Sequence, residues 1–205
     1  TRRYFVSFDV LLGDAWSLQI LGREMLTLIQ GRELPPLTLT FRDYVLYEQA
    51  QSDSGKNKTD WKYWQDQIPK IPPAPDLPLI KNPREIDQPE VKRRSMTIPA
   101  TMWQAIQHQA KSHGLTASAI ILSAFSEVLG SWSRKRRFTI NLTLFNRRPV
   151  HPDVDSIIGD FTSSTLVPID QCNLESFANR TKAVQATLWE VLEHRSVSGV
   201  RIIRE

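Results

Sequence analysis

The 205-residue sequence contains a single cysteine, Cys172. This excludes an internal disulfide and a cysteine metal cluster, and it fits a reducing compartment. Long apolar runs are absent too: none approaches the roughly 18 residues a membrane span requires, so a soluble, cytoplasmic protein with no membrane partner is expected. The opening TRRYFVSFDV lacks a signal-peptide pattern; it reads as a strand entered midway, which implies upstream chain. There is no Gly-rich phosphate loop, no GxSxG and no zinc-ligand spacing. The four histidines, His108, His113, His151 and His194, have no cysteine or serine partner motif, and no two share a helical face with acids. Each is expected at the surface, and no metal site is expected.

Hydrophobic residues make up 40% of the chain and charged residues 23%, ordinary values for a globular protein. The length suits one large domain or two lobes. The net charge of +4 and pI near 9.3 invite a nucleic-acid reading. Its best support is the cluster Arg134, Lys135, Arg136 and Arg137. That cluster lies between a helix pattern and a strand pattern, where basic residues oppose the helix dipole, so a solvated turn and no nucleic-acid partner are expected.

Strand and helix patterns alternate along the chain. Tyr4 to Val10 alternates like a half-buried strand that Gly13 breaks. A helix follows from Ala15 to about Gln30, with Trp16, Ile20, Met25 and Leu28 near one face and Asp14 placed to cap it. Further helices are predicted from Phe41 and over KTDWKYWQDQIP, where Trp61 and Trp64 have core spacing. Prolines crowd between Ile68 and Pro89, forbidding regular helix and favouring an extended connection. Beyond it VKRRSMTIP reads as a strand, PATMWQAIQHQAKSHG as a helix closed by Gly114, and TASAIILSAFSEVLGSWS as an apolar helix capped by Thr116. FTINLTLF and STLVPI read as strands, and LESFANRTKAVQATLWEVLEHR as a long amphipathic helix. The alternation predicts an α/β protein of two lobes. Part of the N-terminal lobe is expected over 1–67, a proline-rich crossing over 68–90, and part of the C-terminal lobe over 91–205.

Two acids bracket an apolar run in SFDVLLGDAWS. Asp9 and Asp14 could act as an acid/base pair if Val10, Leu11 and Leu12 supply an apolar setting that raises a carboxyl pKa. Asp14 at a helix start is more simply a cap or an ion-pair partner. The segment NRRP, Asn146 to Pro149, can supply a basic partner; removing one member of such a buried pair would cost about 3–5 kcal/mol.

Ordered motifs add a family resemblance. The acids Asp9 and Asp14 resemble the D-x-x-x-x-D signature of heterocyclization domains of nonribosomal peptide synthetases, a branch of the condensation-domain superfamily. IPPAPDLPL resembles that family's L-P-x-x-P-x-L-P-L. The helix motif Thr116 to Ser133 has Ala117 in place of the usual Pro, and GDFTSSTLV is similar to G-D-F-T-x-L-x-L-L with Ser164 and Val167 replacing leucines. FRDYVLYE and LFNRRPVHP stand in the family's order, so the resemblance spans almost the whole chain. In ordinary condensation domains H-H-x-x-x-D-G stands here, which lays histidines on Asp9 and Val10, and Asp and Gly on Asp14 and Ala15.

The resemblance implies a chloramphenicol-acetyltransferase-like fold, incomplete in this chain, with two lobes facing a tunnel. It implies condensation of a carrier-bound thioester with Cys, Ser or Thr, then cyclodehydration to a thiazoline or oxazoline. No cofactor is expected on the domain itself, since substrates ride on the phosphopantetheine of upstream and downstream carrier proteins. An adjacent adenylation domain and the remainder of the domain are the other expected partners. Asp14 is expected to pair with Arg147 and hold the strand-to-helix turn against the second lobe; Asp9 either orients that turn or lines the active site. Asn146, Asp160 and Thr162 are candidates for lining the tunnel, with turn hydrogen bonds as the alternative. The family's dehydration Thr and Asp belong to motifs expected beyond Glu205, so the chain is expected to be inactive alone. A noncatalytic docking platform is the alternative function.

Overall fold

The computed structural model describes residues 5, 7–51, 54–172 and 176–205. Among these are seven α-helices and two strands. The helices are α1 (Ala15–Ile29), α2 (Phe41–Gln51), α3 (Gly55–Gln67), α4 (Ala100–Ser112), α5 (Ala117–Trp132), α6 (Phe177–Glu193) and α7 (Gly199–Ile203). The strands are β1 (Arg137–Phe145) and β2 (Thr162–Asp170). They pair in one two-stranded sheet. Asn146 N–H donates to Phe161 O at one end of the ladder and Gln171 N–H to Arg136 O at the other, so the strands are antiparallel.

Most helix expectations hold for the anticipated physical reasons. Asp14 caps α1, its side chain accepting from the Ser17 amide, and Thr116 caps α5 by accepting from the Ala119 amide. Gly114 ends the α4 region at φ +68°, a left-handed conformation that a side chain disfavours. The proline-rich stretch carries only two 3₁₀ turns, Ile68–Lys70 and Pro83–Glu85. β2 begins two residues earlier than STLVPI suggested, at Thr162. The end of the chain adds α7, which the sequence pattern did not reveal.

Two expected strands are not seen among the described residues. Of the first, Tyr4 and Val6 lie outside the described residues; Ser7 to Asp9 are irregular and Val10 starts a turn. Leu11 N–H donates to Asp9 Oδ1 and Leu12 N–H to Asp9 O, so these donors serve a turn instead of a ladder. VKRRSMTIP has a strand's alternation, yet residues 91–99 make no ladder among the described residues. Strand pattern needs a neighbour to become a strand. The apolar face expected on α1 is also only partly covered: Ile20 is buried, whereas Trp16, Met25 and Leu28 are exposed.

The chain forms two compact units. The first comprises Thr1–Gln65, Leu142–Thr165 and Arg195–Glu205; the second comprises Asp66–Asn141 and Leu166–His194. In the first, Tyr44, Val154, Ile157 and Phe161 form a buried cluster with Leu39 and Phe41 packed against it. Trp64 of α3 is fully buried, as its spacing suggested, while Trp61 is half-buried with the Arg201 guanidinium 4.2 Å from its ring centroid. Buried Asp60 pairs with Lys56 at 2.6 Å and accepts from Ser196 Oγ at 2.5 Å, which fastens α3 to the start of the final segment.

In the second unit, α5 packs on α6 and α4. The Gln185 side chain of α6 accepts from Thr116 N–H at 2.7 Å and donates to Gly114 O at 3.0 Å, satisfying the polar backbone of the α4–α5 corner. Phe138, Val167 and Ile169 are buried in the same unit. Arg134, Lys135 and Arg136 form an exposed turn, and Arg137 pairs with Asp170 at 2.8 Å. No single helix among the described residues is long and apolar enough to cross a membrane.

Candidate active site

The first compact unit gathers Asp14 and Arg147, far apart in sequence, around one serine. The α1 cap puts the Asp14 carboxylate inside the unit, and its side chain is wholly buried. Asp14 Oδ1 accepts from Ser17 N–H at 2.8 Å, Ser17 Oγ–H at 2.7 Å and Arg147 Nη2 at 3.2 Å. Ser17 is buried as well. Its single proton serves either Asp14 Oδ1 or Gly159 O at 2.9 Å, while its lone pairs receive Gly159 N–H at 3.1 Å and Arg147 Nη2 at 3.2 Å. Asp14 N–H also donates to Gly159 O.

Both terminal nitrogens of Arg147 and the face of its guanidinium are engaged. Its Nη1 donates to Val154 O and Ile157 O, each at 2.8 Å, and its Cζ stands 3.8 Å from the Phe161 ring centroid. The planar guanidinium suits this combination of carboxylate, carbonyls and aromatic face; a lysine ammonium would not. Tyr44 holds the adjoining backbone, donating from its hydroxyl to Asn146 O at 2.7 Å and accepting from Arg148 N–H at 3.3 Å. Burial pushes the Tyr44 phenol above its ordinary pKa.

Electrostatics make Asp14 a poor proton carrier near neutral pH. Burial alone would raise its pKa, but the Ser17 hydroxyl and amide, followed by the Arg147 charge and hydrogen bond, together hold the carboxyl below its usual value. The group is therefore ionised in the folded state and weakly basic. A carboxyl lowered on folding contributes stability that is fully present above its unfolded pKa, about 3.9, and that fades as pH falls towards the folded value. Acid titration followed by circular dichroism is expected to show unfolding setting in below about pH 4. Asp14→Asn is expected to flatten that limb of the profile.

Asp9 does not join this group. It is exposed, closes its own turn, and is followed by Val10, Leu11 and Leu12, which are 77%, 86% and 66% exposed. The apolar setting required for an Asp9–Asp14 acid/base pair is absent here because those three side chains point to solvent. Nor does the Asp14–Arg147 pair bridge two units: both residues belong to the first. It ties the start of α1 to the loop connecting β1 to β2.

Asn146, Asp160 and Thr162 converge on one cleft of about 390 Å³, walled by Phe41, Tyr44, Val45, Glu48 and Phe161 among others. Asp160 Oδ1 accepts from Thr162 N–H at 2.9 Å, so the turn role weighed for these residues coexists with their place in the cleft. Among the described residues, the buried Asn146 Oδ1 has no hydrogen-bond donor. Glu48 is paired with Arg148 at 3.3 Å. Sequence reasoning missed Ser17, Tyr44, Gly159 and Phe161. Only Ser17 carried a local signal, its position three residues after a cap, where the backbone amide must find an acceptor.

His108 and His113 are exposed, and His151 and His194 half-buried. His151 Nδ1 accepts from Asp153 N–H at 3.1 Å. No group of acids, histidines and cysteine suited to a metal occurs among the described residues.

The model of the condensation domain matches residues 4–204. The chain belongs to the condensation-domain family. Within that family it is 39% identical to bacitracin synthase 1 of Bacillus licheniformis, over 99% of this chain and 4% of that protein. It is 34% identical to phenyloxazoline synthase MbtB of Mycobacterium tuberculosis, over 99% of this chain and 14% of the relative. Among solved structures, the EpoB cyclization-docking bidomain of Sorangium cellulosum superposes with a TM-score of 0.92 at 38% identity, over 96% of this chain and 40% of that one. The condensation-domain chain thus spans well under half the length of these relatives.

These matches bear out the resemblance to heterocyclization domains and the condensation-domain fold that the motif order suggested. The two motif departures in GDFTSSTLV are accommodated structurally. Val167 is fully buried. Ser164 faces Gly199, where an added Cβ would lie 2.7 Å from Ser164 Oγ, so a leucine at 164 would have no room without displacing α7.

Proposed function

We propose that this condensation-domain chain is the portion of a heterocyclization domain that organises the amide-forming and ring-closing site of a nonribosomal peptide synthetase. The observation that carries the reading is the 38%-identical superposition on a cyclization-docking bidomain, joined to an Asp14–Arg147 site that contains no imidazole. In the proposed reaction the amine of a carrier-bound Cys, Ser or Thr attacks a donor thioester, and the donor carrier's thiol departs. The side-chain thiol or hydroxyl then adds to the new amide carbonyl. Loss of one water leaves the C=N bond of a thiazoline or oxazoline.

In this reading Asp14 and Ser17 are positioning residues. They fix the turn entering α1 and the Gly159 backbone, so that Asn146, Asp160 and Thr162 keep their places around the cleft. Asp9 orients the turn that precedes Gly13. Substrates arrive on the phosphopantetheine of carrier proteins in the cytosol, beside an adenylation domain that selects the cyclising residue. The groups that dehydrate the ring come from other parts of the domain, so the 205 residues alone are proposed to close no ring.

The test is mass spectrometry of the longer synthetase with both carriers loaded. A product lighter by one water than the linear amide is expected. A linear amide that never loses water would reject cyclisation. Recovery of both loaded carriers unreacted would favour a docking platform.

A further inference from the structure

FRDYVLYE opens α2, and the start of that helix is fixed by a reciprocal cap. Thr40 Oγ1 accepts from Asp43 N–H at 3.2 Å, while Asp43 Oδ2 accepts from Thr40 N–H at 3.0 Å and from the Thr40 hydroxyl at 2.6 Å. Phe41, Tyr44, Val45 and Glu48 follow at three- and four-residue spacing, so one face of α2 walls the cleft. Tyr44 is the buried member of that face, 5% exposed.

The Tyr44 hydroxyl serves backbone that secondary structure leaves unpaired. The ladder between β1 and β2 ends where Asn146 N–H donates to Phe161 O, and residues 146–148 run on outside any strand or helix. There the Tyr44 hydroxyl donates to Asn146 O at 2.7 Å and accepts from Arg148 N–H at 3.3 Å. Those are the peptide groups on either side of Arg147, so one oxygen sets the backbone from which the guanidinium reaches Asp14. The Tyr44 ring lies 4.7 Å from that of Phe161, over which the guanidinium rests. One turn further along α2, Glu48 pairs with Arg148 at 3.3 Å. Burial raises the pKa of the phenol, the Glu48 charge adds to this, and the Arg148 amide and charge oppose it. The proton that Asn146 O receives is therefore kept at neutral pH.

We infer that the Tyr44 hydroxyl is a positioning group of the site: by tying both peptide groups around Arg147 to α2, it aims Asn146 at the cleft while Arg147 stays on Asp14. This rests on the proposed function, in which Asn146 faces the substrate.

The test is Tyr44→Phe in the longer synthetase with both carriers loaded, assayed well below the melting temperature of either protein. A phenyl ring keeps the contact with Phe161 and drops only the hydroxyl. Turnover to ring product is expected to fall about tenfold to a hundredfold, with the KM for the loaded acceptor carrier changed less than about twofold, the hydroxyl being spent on backbone. Deuterium exchange in the peptide spanning 146–150 is expected to quicken about tenfold or more. A merely stabilising hydroxyl would lower the melting temperature and leave turnover and local exchange as they were, which would overturn the inference. A rise in KM with turnover unchanged would overturn it too.

Should Tyr44→Phe melt below the assay temperature, 3,5-difluorotyrosine in place of Tyr44 takes over. It keeps the ring and the hydroxyl, and its phenol ionises at lower pH; Glu48 of α2 and Arg148 of the loop are the charged groups against it. Ring formation is then expected to fall off at a lower pH than in the parent protein, and coincident profiles would overturn the inference. Exchange at 146–150 reads the positioning without any reaction. If it quickens in a synthetase that makes no ring even with Tyr44 intact, the positioning stands and the proposed activity is what fails.

Discussion

Replacing Arg147 by methionine is expected to destabilise the folded chain by about 3–5 kcal/mol, because it leaves a buried carboxylate without its countercharge. Asp14 has no route to solvent, its side chain being wholly buried. The variant also frees the carbonyls of Val154 and Ile157, which both receive Arg147 Nη1. For a chain of this size the loss corresponds to a fall in melting temperature on the order of 10 °C. Thermal melts by circular dichroism read it directly. Asp14→Asn added to Arg147→Met removes the stranded charge, so the double variant is expected to recover part of the loss; a double variant no better than the single would show that carbonyl and Phe161 contacts dominate. An unchanged melting temperature for Arg147→Met would dismiss the pair as a contributor to stability.

Gly159→Ala is the second large effect, and it is steric. An added Cβ would overlap the Phe41 ring atoms Cδ2, Cγ and Cε2. Phe41 has little freedom to withdraw: its ring meets Phe161 edge-on at 5.1 Å, and Phe161 supports both Tyr44 and the Arg147 guanidinium. Overpacking of this kind costs typically about 1–3 kcal/mol, and the aromatic stack puts this position at the upper end. Near-ultraviolet circular dichroism is expected to lose aromatic intensity together with the melting temperature. Phe41→Leu, which vacates the ring's volume, is expected to restore part of the stability of Gly159→Ala. Failure of that rescue would mean that backbone displacement, and not the ring, carries the cost.

How much of this was legible in the sequence depended on distance along the chain. Helix positions were readable because the determinants are local: Asp14 and Thr116 as caps, Gly114 as a left-handed stop, and apolar spacing over α5 and α6. The strand expected over 91–99 fared differently, since alternation describes a face and a ladder requires a second chain segment. Asp14 and Arg147 could be matched through motif order, but nothing in SFDVLLGDAWS shows that Val10, Leu11 and Leu12 turn outward. Phe161 and the two carbonyls that hold Arg147 were invisible for the same reason. Their contacts are created by the loop between β1 and β2, whose path the residue pattern does not encode.

The Ser17 hydroxyl reaches across 142 positions to meet Gly159. During synthesis at about 5–20 residues per second, the start of α1 therefore waits roughly 7–30 s before its anchor is made. Through that interval the Asp14 carboxylate lacks Arg147, its partner in the folded unit. The cap of α1 thus completes its polar contacts only once the loop between β1 and β2 has been made.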